Sequence, residues 1–131
     1  MLSFTVSTNQ GRYDLSASIQ IIGSDILISI WGGEKPHIGA VAISEPRPSL
    51  RDASEISAST SVFCFLGHKE DELAKWLANN LASALNKKVV VTAGIHWDNI
   101  REEGIKQVVK NNKILLEMML QHFHEVAAST H

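Results

Sequence analysis

From Tyr13 to Ile21 every second residue is apolar (Tyr13, Leu15, Ala17, Ile19, Ile21), and Asp14, Ser16, Ser18 and Gln20 between them are polar. A period of two belongs to a strand with one face on a core and the other in water, the usual condition of an antiparallel sheet. Leu2, Phe4 and Val6 repeat the pattern against Ser3, Thr5 and Ser7, and TNQGR between the two segments supplies a hairpin turn. A chain that begins this way is committed to a sheet needing one apolar cover.

Two further strands follow closely. ILISIW (26–31) comes after the Gly23-Ser24-Asp25 turn, and HIGAVAIS (37–44) comes after GGEKP, so the reading is a meander of four strands. Residues 45–58, EPRPSLRDASEISA, are rich in proline, serine and charge and read as a mobile flap or functional loop. STSVFCFL is a fifth strand, leading through Gly67 to the cover. In the first helix Leu73, Leu77, Leu81 and Leu85 recur every four residues beside Ala74, Ala78 and Ala82, with Lys75, Asn79 and Ser83 opposite. KVVVTAGI is a sixth, β-branched strand. Asn99 followed by Glu102 reads as a capping box for a second helix from Ile100 to about Phe123. The order βββββαβα predicts a two-layer α+β domain spanning residues 1–131, a six-stranded, mostly antiparallel sheet with both helices packed on one face.

The second helix carries a polar stripe, Lys106, Lys110, Lys113, Glu117 and Gln121. Its stretch ILLEMML (114–120) leaves only Glu117 polar, an apolar arc wider than one sheet face needs. That excess predicts a homodimer, with the flap folding over the helix as the alternative.

Composition excludes several functions. A net charge of −2 over 131 residues gives no general attraction to nucleic acid or anionic lipid, and the single Cys64, within VFCFL, permits no disulfide inside one chain. No segment has membrane-spanning length and MLSFTVST lacks the pattern of a signal peptide, so a cytoplasmic setting is expected.

Three histidines stand at strand or helix ends: His37, after Pro36 and two residues before Gly39; His68, before Lys69 and Glu70; and His96, before Trp97 and Asp98. If those ends converge, His37, His68 and His96 with a carboxylate could bind a metal, or one histidine could act as a general base. The spacing has neither HExxH nor CxxC form, so no metal is expected, and a metal-assisted enzyme stands as an alternative. His122, His124 and His131 read as solvated. A phosphate cradle fits poorly, because GGEKPHIG leads into a strand and Glu70, Asp71 and Glu72 already occupy the positive end of the first helix. Trp31, Trp76 and Trp97 are each as suited to packing as to stacking on a planar ligand.

Taken together, GGEKPHIGAVAIS, PRPSL, ASTSV, LGHKEDELA and VVVTAGIHWDNI resemble the LpdD-like prenylated-flavin chaperones of bacteria and archaea, from about the second strand into the second helix. More distantly the order of elements is similar to the fourth proteasome assembly chaperone of eukaryotes. The resemblance implies a non-catalytic maturation factor that forms a homodimer and associates with UbiD-type decarboxylases, whose cofactor is prenylated FMN. It points to His37, Gly39, His68, Lys69, His96, Trp97 and Asp98 as ligand-binding residues. A pure assembly chaperone without a cofactor is the other alternative.

Overall fold

The computed structural model describes residues 2–65 and 70–129. The elements are β1 (Leu2–Ser7), β2 (Leu15–Ile22), β3 (Asp25–Gly33), β4 (Ala40–Pro48), β5 (Ile56–Cys64), α1 (Asp71–Leu85), β6 (Val89–His96) and α2 (Glu102–Ser129). They form one six-stranded sheet in the order β1-β2-β3-β6-β4-β5, with the two helices against one face, the α+β architecture that the alternation predicts.

Only the first three strands form a meander. β4 does not pair with β3; β6 enters between them, parallel to β3 (Ile28 opposite Val91) and antiparallel to β4 (Ala42 opposite Val91). The reason lies in burial. Val89, Val91 and Ala93 of β6 are fully covered, and only a central position gives a strand of that composition neighbours on both edges. The β3–β4 connection therefore passes across the end of β6, which puts GGEKPHIG over the residues that precede α2.

The core is the face made by Leu15, Ala17 and Ile19 of β2, Ile26, Ile28 and Ile30 of β3, Ala40 and Ala42 of β4, and the buried β6 residues. Against it α1 sets Ala74, Leu77, Ala78, Leu81 and Ala82. Each large aliphatic side chain so buried contributes about 2 kcal/mol. Asn86, in left-handed conformation at φ 54°, ends α1 by donating its N–H to the Ala82 carbonyl.

Three expectations are corrected. Residues 45–58 are not a flap: β4 and β5 continue in register through Glu45–Ser59, Arg47–Ser57 and Pro48–Ile56. Past Ser44 the paired neighbour of β4 is β5 alone, so the missing N–H groups of Pro46 and Pro48 cost little, as on an edge strand. The turn is confined to 49–55, closed by Ser49 donating to the Glu55 carbonyl and by Asp52 accepting from the N–H and hydroxyl of Ser54. Nor is there a capping box on α2, because Asn99 has φ 55° and serves as a turn residue, with helix beginning at Glu102. Finally, most of the 114–120 apolar arc of α2 is covered within the chain, with Ile114 and Met118 partly exposed. Leu115 and Met119 are fully buried, Leu116, Leu120 and Phe123 pack on the core, and Phe4 of β1 stacks on His122 at 3.6 Å and meets Phe123 edge-on. His122 is thus half-buried rather than solvated, while His124 is exposed.

Two asparagines lie under α2. Asn111 donates to the Tyr13 carbonyl at 2.7 Å and accepts from Gln107; Asn112 donates to the Leu73 carbonyl at 3.3 Å, and its buried Oδ1 has no partner among the described residues.

The opposite face of the sheet has no cover among the described residues, and it is divided. Ser3, Thr5, Ser7, Ser16, Ser18 and Gln20 make the β1–β2 half polar. By the same register Leu27, Trp31, Val90, Val41, Ile43 and Phe63 give the other half an apolar centre, with Ile43 57% and Phe63 63% exposed, interrupted by Ser29, Thr92 and Ser61 and bordered by Glu45 and Arg47.

Candidate functional site

The β3–β4 connection is a hub built from backbone. Gly33, at φ 87°, turns the chain so that Glu34 donates its N–H to the His96 carbonyl at 2.7 Å, and a Cβ at Gly33 would strike that same carbonyl. Further on, the His37 carbonyl rests against Gly94 so closely that a side chain there would overlap it. Gly39 donates its N–H to the Ala93 carbonyl, and its bare Cα faces the Glu70 carboxylate.

His37 is held at both ring nitrogens. Nδ1–H donates to the Lys35 carbonyl at 2.8 Å and Nε2 faces Glu70 Oε1 at 3.0 Å. The Glu70 side chain is only 7% exposed and also accepts from the N–H of Ile95 at 3.4 Å. A carboxylate so removed from water requires such partners. Glu70 therefore ties the start of α1 to the β3–β4 connection and to β6.

His96 and Asp98 form a second, more exposed pair, Nε2 to Oδ1 at 2.8 Å, and Lys35 Nζ reaches the same oxygen at 3.7 Å. The His96 hydrogen bond first, then the side chain of Glu34 and the charge of Lys35, hold the Asp98 carboxyl below its usual pKa. The backbone N–H of Asp98 donates to Glu34 Oε2 at 3.1 Å. Trp97, between them, is 6% exposed; its indole N–H donates to the Arg12 carbonyl at 3.1 Å and its ring meets Tyr13 edge-on at 5.4 Å.

Beside this hub a cavity of about 480 Å³ opens between the start of α1, the end of β6 and the first turns of α2. Leu73, Ile95, Trp97, Ile100 and Val108 make its apolar walls, Ile105 and Val109 of α2 stand half in solvent at it, and Glu70, Glu72 and His96 supply the polar groups. Its volume is in the range of small-molecule sites.

Of the residues singled out from sequence, His37, Gly39, His96, Trp97 and Asp98 gather around this hub. His68 and Lys69 lie outside the described residues. No group of three or more histidine, cysteine, aspartate or glutamate side chains has metal-binding geometry among the described residues. Sequence reasoning missed Glu70 as a site residue, treating it as helix-dipole charge, and missed the walls contributed by α2. Gly94 carried a signal: a glycine inside a β-branched strand marks a close backbone approach.

A six-stranded sheet with two helices on one face, its connections tied to a buried carboxylate, has a counterpart among solved structures. One chain of a crystal structure described as a novel chaperone complex for yeast 20S proteasome assembly superposes with a TM-score of 0.54 at 17% identity, over 95% of this chain and 98% of that one. That likeness establishes the fold. Sequence goes further: residues 9–124 match the model of the prenylated flavin chaperone LpdD-like domain, and protein LpdD of Lactiplantibacillus plantarum is 30% identical over 101 residues, 77% of this chain and 71% of that protein. The chain belongs to the LpdD-like chaperone family. No helix among the described residues is long and apolar enough to cross a membrane.

Proposed function

We propose that this chain is a non-catalytic chaperone that holds prenylated FMN for a UbiD-type decarboxylase and acts as a homodimer. The observation that carries the flavin half of the reading is the 480 Å³ cavity, apolar on three elements and lined by Glu70 and His96, the partners of His37 and Asp98. A flavin enlarged by a prenyl-derived ring is flat and apolar at one end, and walls such as Leu73, Ile95, Trp97 and Val108 match that end. The family's description supports the choice of ligand, and the chaperone fold supports a client protein.

The roles within the site follow from the contacts. His37 and Gly39 keep the β3–β4 connection seated on Glu70 and Gly94, Trp97 forms a wall, and His96, oriented by Asp98, offers a polar group to the ligand. Anaerobic titration of the purified chain with reduced prenylated FMN, followed by tryptophan fluorescence, tests the reading. Saturable, one-to-one binding per chain is expected; absence of binding at concentrations that load a decarboxylase would overturn it.

A further inference from the structure

We infer that the cavity takes the flavin ring first and leaves the phosphate outside, so that the phosphate is free for the client to grasp. The inference rests on the proposed flavin binding and adds its polarity. Among the described residues, the lining contains two carboxylates, Glu70 and Glu72, and no lysine or arginine; its one basic side chain, His96, already faces Asp98. Both helices that border the cavity begin with acids, Asp71 and Glu72 on α1, Glu102 and Glu103 on α2. A helix N-terminus ordinarily attracts a phosphate through its free N–H groups, and acidic side chains in the first turn cancel that attraction. A phosphate carrying nearly two negative charges is thus repelled by the described groups that line the interior suited to the ring. The half-exposed Ile105 and Val109 extend the apolar surface to the mouth, where ring and solvent meet.

A carrier of this polarity has a functional consequence. A decarboxylase that grips the phosphate can begin to bind the cofactor before the chaperone releases the ring, so the reactive ring system stays covered during transfer.

The test compares reduced prenylated FMN with its phosphatase-treated product, prenylated riboflavin, by anaerobic equilibrium dialysis on the wild-type chain, Val109→Asp and Ile105→Asp. Both substitutions fall on side chains already half in solvent, and circular dichroism checks that each variant is folded. The two ligands are expected to bind within about threefold of each other, excess inorganic phosphate to leave binding unchanged, and at least one folded variant to weaken both ligands about tenfold alike. A loss of about thirtyfold or more on removing the phosphate, or competition by inorganic phosphate, would overturn the polarity while leaving flavin binding in place. Undiminished binding by both folded variants would move the ring out of the cavity and overturn the inference too. Binding of neither flavin would overturn the proposed function with it.

Discussion

Gly94 has no side chain because the carbonyl of His37 occupies the place where one would stand. Gly94→Ala must displace either β6, which is central in the sheet, or the connection that carries His37. The expected loss is about 3 kcal/mol, read as a lowered urea midpoint, since overpacking against backbone cannot relax by a rotamer change; a loss below about 1 kcal/mol would show that the connection is free to move. Asp14 sets a second test at this scale. Its partial burial would by itself raise its pKa, but the N–H of Gln10, the hydroxyl of Thr8 and the N–H of Gly11 all donate to it and the net shift is downward. A depressed carboxyl contributes stability above the ordinary aspartate value of 3.8, and that contribution is lost as pH falls through the lower, folded-state value. Asp14→Asn should therefore be less stable than wild type near neutrality and lose less stability on acidification from neutral pH; equal acid sensitivity in the two proteins would assign the effect to other carboxylates. His37, Gly39, His96, Trp97 and Asp98 were readable as a group because each stands where a strand ends. Glu70 was not, since nothing local distinguishes a glutamate that turns inward from its exposed neighbour Glu72.

Among the elements, β1, β2 and the apolar stripes of the two helices were legible from period alone, whereas the neighbours of the strands were not. Alternation in β1 and β2 specifies which face is buried, but the insertion of β6 between β3 and β4 depends on long-range pairing that no window of sequence contains. The β4–β5 hairpin was concealed for a different reason: Pro46 and Pro48 are breakers inside a sheet, and only the lack of a second partner beyond Ser44 makes them acceptable. On α2 the pair Asn111 and Asn112 stands in what the pattern marks as core. Asn111 pins the helix to the start of β2 through the Tyr13 carbonyl, with its oxygen occupied by Gln107. Asn112 has one long hydrogen bond and an unpaired buried oxygen. Removing a satisfied buried amide strands its partner, while replacing an unsatisfied one by an apolar group of the same shape does not. Asn111→Leu is thus expected to cost about 2 kcal/mol in urea denaturation and Asn112→Leu less than about 1 kcal/mol. The reverse order would mean that Asn112 has a partner, such as a buried water, that outweighs those of Asn111.

For the molecule as a whole, the exposed apolar surface falls in a different place from the one its sequence suggests. ILLEMML reads as spare surface, but β1 extends the sheet beneath it and Phe4 closes over its end, so charge at Leu115 would unfold the chain rather than separate subunits. The surface left open is the β3–β6–β4–β5 half of the bare sheet face, where Ile43 and Phe63 stand exposed and Trp31 half-buried. Its apolar centre, bordered on the same face by Glu45 and Arg47 of β4, is the surface proposed for the homodimer. Ile43→Glu combined with Phe63→Glu should convert a sedimenting dimer into a folded monomer, and a double variant that still sediments as a dimer would place the contact elsewhere. The chaperone account itself is tested most directly by cofactor transfer. A purified UbiD-type apo-decarboxylase is mixed anaerobically with limiting prenylated FMN, with and without this chain, and the fraction of active decarboxylase is counted. The account predicts that the chain raises that fraction, with no decarboxylation by the chain alone; an equal fraction of active decarboxylase in both mixtures would contradict it.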